Sequence, residues 1–154
     1  MPDRFFEEFE VGQRWVTRGR TVTEADIVNF AGLSGDFHSL HVDREYAKYT
    51  SFGERIAHGL LGLSLSSGLA SQLGLMEETV VAFLGLTWRF KKPVKIGDTL
   101  SVTLIVRKKQ KDREREYGVV TFGVTVSNQD DLLVQEGEWS LAIRTRSQGK
   151  VGSR

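Results

Sequence analysis

Cysteine is absent from the chain and histidine is scarce, with three in all. The first absence excludes a disulfide framework and a thiolate nucleophile, and it fits a reducing cytoplasm. A charge excess is missing too, since 21 Lys and Arg stand against 20 Asp and Glu for a formal charge of +1. Without a net field of one sign, the long-range attraction that nucleic-acid or anionic-membrane binding relies on is lost, which leaves at most a local basic patch. Nor is there a long, unbroken apolar run. The leader M-P-D-R-F-F-E-E-F-E mixes charge with aromatics, unlike a secretory signal. The most apolar region, Ile56 to Leu75, is interrupted by His58, Gln72, serines and glycines, so it reads as a buried helix and not a membrane span. The expectation is a cytoplasmic protein with no membrane or nucleic-acid partner. At 154 residues it is one domain, large enough to bury about two-thirds of the surface its unfolded form exposes.

Local patterns place the elements. Gly12 to Thr21 alternates enough for a first strand, and Thr23-Glu24-Ala25-Asp26 reads as a variant capping box opening a short helix that Gly32 and Gly35 end. Asp43 to Thr50 carries a second brief helix behind an Asp N-cap. A third and longer helix, Ala57 to Leu73, is apolar nearly all round and has small residues that admit a close neighbour, so it is expected to be enclosed. Thereafter the period changes. Thr79 to Phe90, Thr99 to Lys109, Arg115 to Asn128 and Leu132 to Thr145 read as four strands, and the short turns between them predict an antiparallel meander. The fold class is α+β, one helix against a strongly curved antiparallel sheet, with a domain over residues 1–146 and a flexible tail over 147–154.

The scarce histidines are all in one region. His38 and His41 follow Asp36 in S-G-D-F-H-S-L-H-V-D, and His58 follows in R-I-A-H-G-L-L-G-L-S. A carboxylate and an imidazole five positions apart, in Gly-bracketed loops, suggest an acid/base pair. The same residues spell D-x-H-x-x-H, which could supply zinc ligands, although no second cluster with metal spacing appears. Arg107 to Glu116 mixes its signs and reads as a solvated hairpin, and the three tryptophans read as sheet packing.

Together, G-D-F-H-S-L-H-V-D, the later F-G-E-R-I-A-H-G-L-L-G-L-S-L-S-S-G, the leader F-E-V-G-Q and the segment T-W-R-F-K-K-P-V-K-I-G-D resemble the MaoC-like dehydratases and (R)-specific enoyl-CoA hydratases over nearly the whole chain. The usual pattern there is G-D-x-N-P-[IL]-H-x-D, and His38-Ser39 stands here in place of Asn-Pro. The resemblance implies a hotdog fold, a homodimer with sites at its interface and the possibility of higher assembly. It also implies metal-free chemistry with no cofactor, coenzyme A entering as part of the substrate. Asp36 and His41 align with the catalytic pair, and Gly59 with the glycine whose N–H holds the thioester oxygen. His38, His58 and Ser67 fall near the substrate. Arg89, Lys91 and Lys92 are a candidate phosphate patch for coenzyme A, against the plainer reading of surface cations. The implied reaction is reversible hydration of a trans-2-enoyl-CoA to an (R)-3-hydroxyacyl-CoA. A non-catalytic acyl-thioester-binding subunit and an acyl-CoA thioesterase are the rivals, because fold alone does not fix activity.

Overall fold

The computed structural model describes residues 3–146; the expected tail, 147–154, lies outside them. Four helices precede the main sheet: α1 (Glu24–Ser34), α2 (Ser39–Val42), α3 (Arg44–Lys48) and α4 (Gly59–Ser71). Strands β1 (Arg14–Val16) and β2 (Arg20–Thr21) come before them, and β3 (Val80–Phe90), β4 (Thr99–Lys111), β5 (Tyr117–Ser127) and β6 (Leu133–Arg144) after. The expected first strand is therefore two pieces. They break around Thr17, whose N–H and hydroxyl both engage Val102 of β4, each at 2.9 Å.

α1 begins as its sequence predicts. Thr23 Oγ1 accepts the Asp26 N–H at 3.2 Å, and Asp26 Oδ2 accepts the Thr23 N–H at 2.9 Å. Such a cap typically contributes about 1 kcal/mol. The helix runs through Gly32 and stops at Gly35, which adopts the left-handed conformation with φ of 78°. Asp43 caps α3 as expected, accepting the Tyr46 N–H at 2.9 Å.

The strand order is β1-β4-β5-β6-β3, with β2 also on β4. This corrects the simple meander: β4, β5 and β6 follow one another, whereas β3 pairs with β6 and not with β4. Residues 91–98 cross from one edge to the other, and they are pinned by the Ala57 N–H donating to the Val94 carbonyl at 2.8 Å and by an Ile56–Lys95 bridge. Strict alternation explains which face of the sheet is covered. Leu100, Val102, Leu104 and Val106 of β4 are buried, as are Val120, Phe122, Val124 and Val126 of β5, and α4 contributes Leu61, Leu69 and Ala70 to the same cluster. Each fully buried side chain of this size is worth about 1.5–3 kcal/mol.

α4 is not enclosed in the single chain. Leu60, Ser64, Ser67 and Gly68 face outward, because one sheet covers only one side of the helix. β3 is an edge strand and is nearly all exposed, with Val80, Val81, Phe83, Leu84, Leu86 and Phe90 between 39% and 54% accessible. Among the described residues no helix is long and apolar enough to cross a membrane.

Candidate active site

A run of local turns positions the first two candidates. Once Gly35 has ended α1, Asp36 Oδ1 accepts the His38 N–H at 3.2 Å, and His38 Nδ1 accepts the Leu40 N–H at 3.1 Å as the N-cap of α2. α2 was not anticipated from sequence; it is a single turn, and His41 sits on it. His41 Nδ1 lies 2.8 Å from the Ile56 carbonyl oxygen. A carbonyl only accepts, so Nδ1 carries the proton and the neutral ring keeps its lone pair on Nε2.

His58 fixes the other side. It is 3% exposed, and its Nε2–H donates to the Asp36 carbonyl at 2.9 Å. Its ring stacks on His41 with centroids 3.8 Å apart and planes inclined by 27°. One Asp36 carboxylate oxygen, one His41 ring nitrogen and one His58 ring nitrogen all lie within 4.8 Å of one another. Two acceptors holding one water through hydrogen bonds of about 2.8 Å, spread at a tetrahedral angle, stand about 4.6 Å apart, a separation that falls within this bound. Asp36 and His41 therefore converge. A metal centre fits the same residues poorly, because near-parallel stacked ring planes meet well beyond the ~2.0–2.1 Å of a zinc–imidazole bond.

Burial pushes the His41 imidazole below its ordinary pKa, against the pull of the Ile56 hydrogen bond; His58 adds to the lowering, Asp36 opposes it, and His38 lowers it slightly. His41 is thus held neutral, the form that can accept a proton.

Gly59 is the first residue of α4, which starts two residues later than the expected Ala57 and keeps Gly59 in its first turn. His58 offers no side-chain cap there, and among the described residues no backbone group accepts the Gly59 N–H. That free amide stands at the positive end of the helix dipole. The glycine also has a packing reason, since a Cβ would come within 2.7 Å of the Phe90 ring. His41, Gly59, Phe90, Lys91 and Lys92 line one cavity of about 460 Å³.

The remaining candidates disperse. Ser67 borders a different, apolar cavity of about 400 Å³ beside Met76, Phe83 and Trp139. Its hydroxyl donates to the Ser64 carbonyl at 2.7 Å. Arg89 lines a cleft with Arg107, Glu136 and Glu138, so the anticipated three-residue basic patch splits and only Lys91 and Lys92 reach the His41 cavity. The split falls at the end of β3: Arg89 is on the strand, whereas Lys91 and Lys92 lie just beyond it, where the backbone of both is held by the Val134 carbonyl. Asp36, His38 and His58 do not line the His41 cavity: Asp36 is exposed in the loop after α1, His38 caps α2 in the open and His58 is buried under His41.

Gln135 is the contributor that sequence reasoning missed. It is 2% exposed on β6, its Nε2–H donates to the Gly59 carbonyl at 3.1 Å, and its Oε1 accepts the Trp88 indole N–H at 3.0 Å. It also fills the space beside Gly62, where a Cβ would lie 2.3 Å from Gln135 Nε2. A polar residue on the inward phase of an apolar strand was the available signal. The Ile56 carbonyl, which sets the His41 tautomer, carries no side-chain signal at all.

A helix half-wrapped by an antiparallel sheet is the arrangement of the hotdog folds, and the Asp/His pair lies near the start of that helix. The chain belongs to the MaoC like domain family, which residues 7–128 match. It is 33% identical over 143 residues to the (R)-specific enoyl-CoA hydratase of Rhodospirillum rubrum, covering 92% of this chain and 93% of that one. It is 42% identical over 113 residues to Protein MaoC of Klebsiella aerogenes, covering 73% of this chain but only 33% of that longer protein. Among solved structures, the R-hydratase PhaJ1 from Pseudomonas aeruginosa superposes with a TM-score of 0.79 at 32% identity, covering 97% of this chain and 94% of that one. A double-hotdog protein from Mycobacterium tuberculosis shares the fold at 20% identity and a TM-score of 0.83, covering 97% of this chain and 47% of that one.

Proposed function

We propose that the protein is a cytoplasmic hydro-lyase that reversibly adds water to a trans-2-enoyl-CoA to give an (R)-3-hydroxyacyl-CoA. The observation that carries this reading is the approach of the Asp36 carboxylate and the His41 ring to within 4.8 Å, beside a cavity that His41 shares with Gly59. The names of the hydratase relatives from Rhodospirillum rubrum and Aeromonas caviae supply the substrate class and its stereochemistry.

In this reading a water donates one hydrogen to Asp36 and the other to His41 Nε2. As its oxygen bonds to carbon 3 of the alkene, Asp36 takes the proton. The π electrons move onto the thioester, and the Gly59 N–H holds the enolate oxygen. The proton then passes from Asp36 to carbon 2 on the same face, so that OH and H have been added and both residues are regenerated. Such acid/base assistance is worth about 100- to 10,000-fold, and one well-placed oxyanion donor about 100- to 1,000-fold. His58 holds the Asp36 backbone against α4 and supports the His41 ring. Lys91 and Lys92, which line the same cavity, would meet coenzyme A phosphates in this reading, with no other cofactor and no metal required.

The bare edge and outward face of β3, together with the uncovered side of α4, favour a second copy of this chain as partner. Size-exclusion mass tests that homodimer.

The activity is tested by following loss of enoyl-thioester absorbance with purified protein on crotonyl-CoA and on longer or branched analogues. Turnover to the (R)-alcohol supports the reading. Tight acyl-CoA binding without turnover would replace it with a thioester-binding subunit, and release of free thiol without hydration with a thioesterase.

A further inference from the structure

The turn that carries His41 is capped by another imidazole. His38 Nδ1 accepts the Leu40 N–H at 3.1 Å, and the His38 carbonyl accepts the His41 N–H at 2.9 Å, so both halves of this residue tie down α2. Four residues form no helix on their own, since the cost of the first turn is not recovered by propagation; the ends decide whether the turn exists. The usual N-caps are side-chain oxygens of Asn, Asp, Ser or Thr, which keep their lone pairs near neutral pH. A ring nitrogen accepts only while it is unprotonated.

We propose that His38 is a positioning residue whose neutral ring caps α2 and so holds His41 on His58 and beside Asp36, and that protonation of His38 releases this turn. Once Nδ1 carries a proton it confronts the Leu40 N–H donor to donor, and the ring must swing away. His38 is exposed, so solvent delivers the proton directly. Among the described residues the titratable groups against it are Asp36 in the preceding loop, which accepts its backbone N–H at 3.2 Å, His41, with ring centroids 6.1 Å apart, and Tyr46 of α3, at 6.3 Å. A charged His38 lowers the affinity of His41 for a proton. The effect on turnover rests on the hydratase reading; the cap does not.

The test combines NMR of the isotope-labelled full chain between about pH 5 and pH 8, where imidazoles exchange charge, with pH profiles of kcat and KM on crotonyl-CoA. The proteins compared are wild type, His38→Asn and His38→Ala. Asn keeps an acceptor oxygen that does not titrate. The expected result is a Leu40 amide resonance that moves with the same midpoint as the His38 ring in wild type and shows no such inflection in His38→Asn. The acid limb of kcat should lie at lower pH in His38→Asn than in wild type. His38→Ala should lose kcat about fivefold at neutral pH, the equilibrium factor of a typical ~1 kcal/mol cap, with KM little changed and most of the loss recovered by Asn. A Leu40 amide indifferent to titration of the His38 ring, or an alanine variant matching wild type across the pH range, would overturn the proposal. Absence of turnover in every protein, wild type included, would instead remove the hydratase reading, and the amide titration would then uphold or overturn the cap by itself.

Discussion

Replacing Gly59 by alanine probes the role of its amide through a measurable displacement. The added Cβ would stand 2.7 Å from Phe90 Cε1 and 2.8 Å from Cδ1. Carbon atoms pack at about 3.5–4.0 Å, so relief needs roughly 0.8 Å of movement or more, divided between the Phe90 ring and the first turn of α4. Phe90 is 54% exposed near the end of an edge strand and can yield part of this, whereas the Gly59 carbonyl is tied to Gln135 at 3.1 Å. An oxyanion donor works over a window of only about 2.7–3.1 Å, so even half of that movement takes the amide out of range. The expected loss in kcat is about 100-fold, with KM changed far less. Overpacking should cost about 1–3 kcal/mol of stability, offset in part by the helix preference of alanine over glycine, up to ~1 kcal/mol. Enoyl-CoA absorbance gives the rates, and circular dichroism with urea unfolding shows that the fold persists. In the double variant Gly59→Ala/Phe90→Ala the offending ring is gone, and kcat should approach that of Phe90→Ala alone. A folded Gly59→Ala protein within twofold of wild-type kcat would refute the oxyanion assignment, and a double variant that stays slow would refute the steric route.

Asp36→Asn and His41→Ala should each reduce turnover by about 100- to 10,000-fold while circular dichroism stays native, because Asp36 carries the proton and His41 holds the water that supplies it. Turnover should persist below the ordinary imidazole value of 6.5 and fall as pH drops through the lowered folded-state pKa of His41, which must be neutral to accept a hydrogen bond from water. Stability should move the same way. Between the unfolded value and the lower folded one the unfolded chain holds the extra proton, so the His41 contribution is intact above about pH 6.5 and is lost as pH falls through the folded pKa. Urea titrations of wild type and His41→Ala over this range isolate the difference. Gln135→Leu strands the Trp88 N–H and the Gly59 carbonyl; urea unfolding should report about 1–3 kcal/mol lost per stranded group.

Strand and helix ends were legible from the change of period and the turn residues that flank each element. The expected Thr79 to Phe90 and Thr99 to Lys109 became Val80–Phe90 and Thr99–Lys111, and the long helix lost two residues at each end of Ala57 to Leu73. Pairing was not legible in the same way. Turn lengths suit β3 to either neighbour, and only the crossing of residues 91–98, fixed by backbone bonds to Ile56 and Ala57, places it on β6. In the site, the spacing of Asp36 and His41 could be read because one turn links them. The stacking of His58 on His41, the Ile56 carbonyl and the bridge from Gln135 could not, because each joins elements distant in the chain. Ser67 and Arg89 lie away from the His41 cavity: one is two turns along α4 and borders a second cavity, and the other lines a separate cleft with Arg107 and Glu136.

The amide of Gln135 occupies the volume that any side chain at position 62 would claim, and it anchors both the indole of Trp88 and the start of α4. These three positions therefore form an epistatic unit. A larger residue at 62 is admissible only after 135 has shrunk, and a shrunken 135 is admissible only once 88 no longer presents a donor. Mutational drift through this part of the protein is therefore ordered, and diverging homologues should change 88 before 135 and 135 before 62, or keep the trio whole.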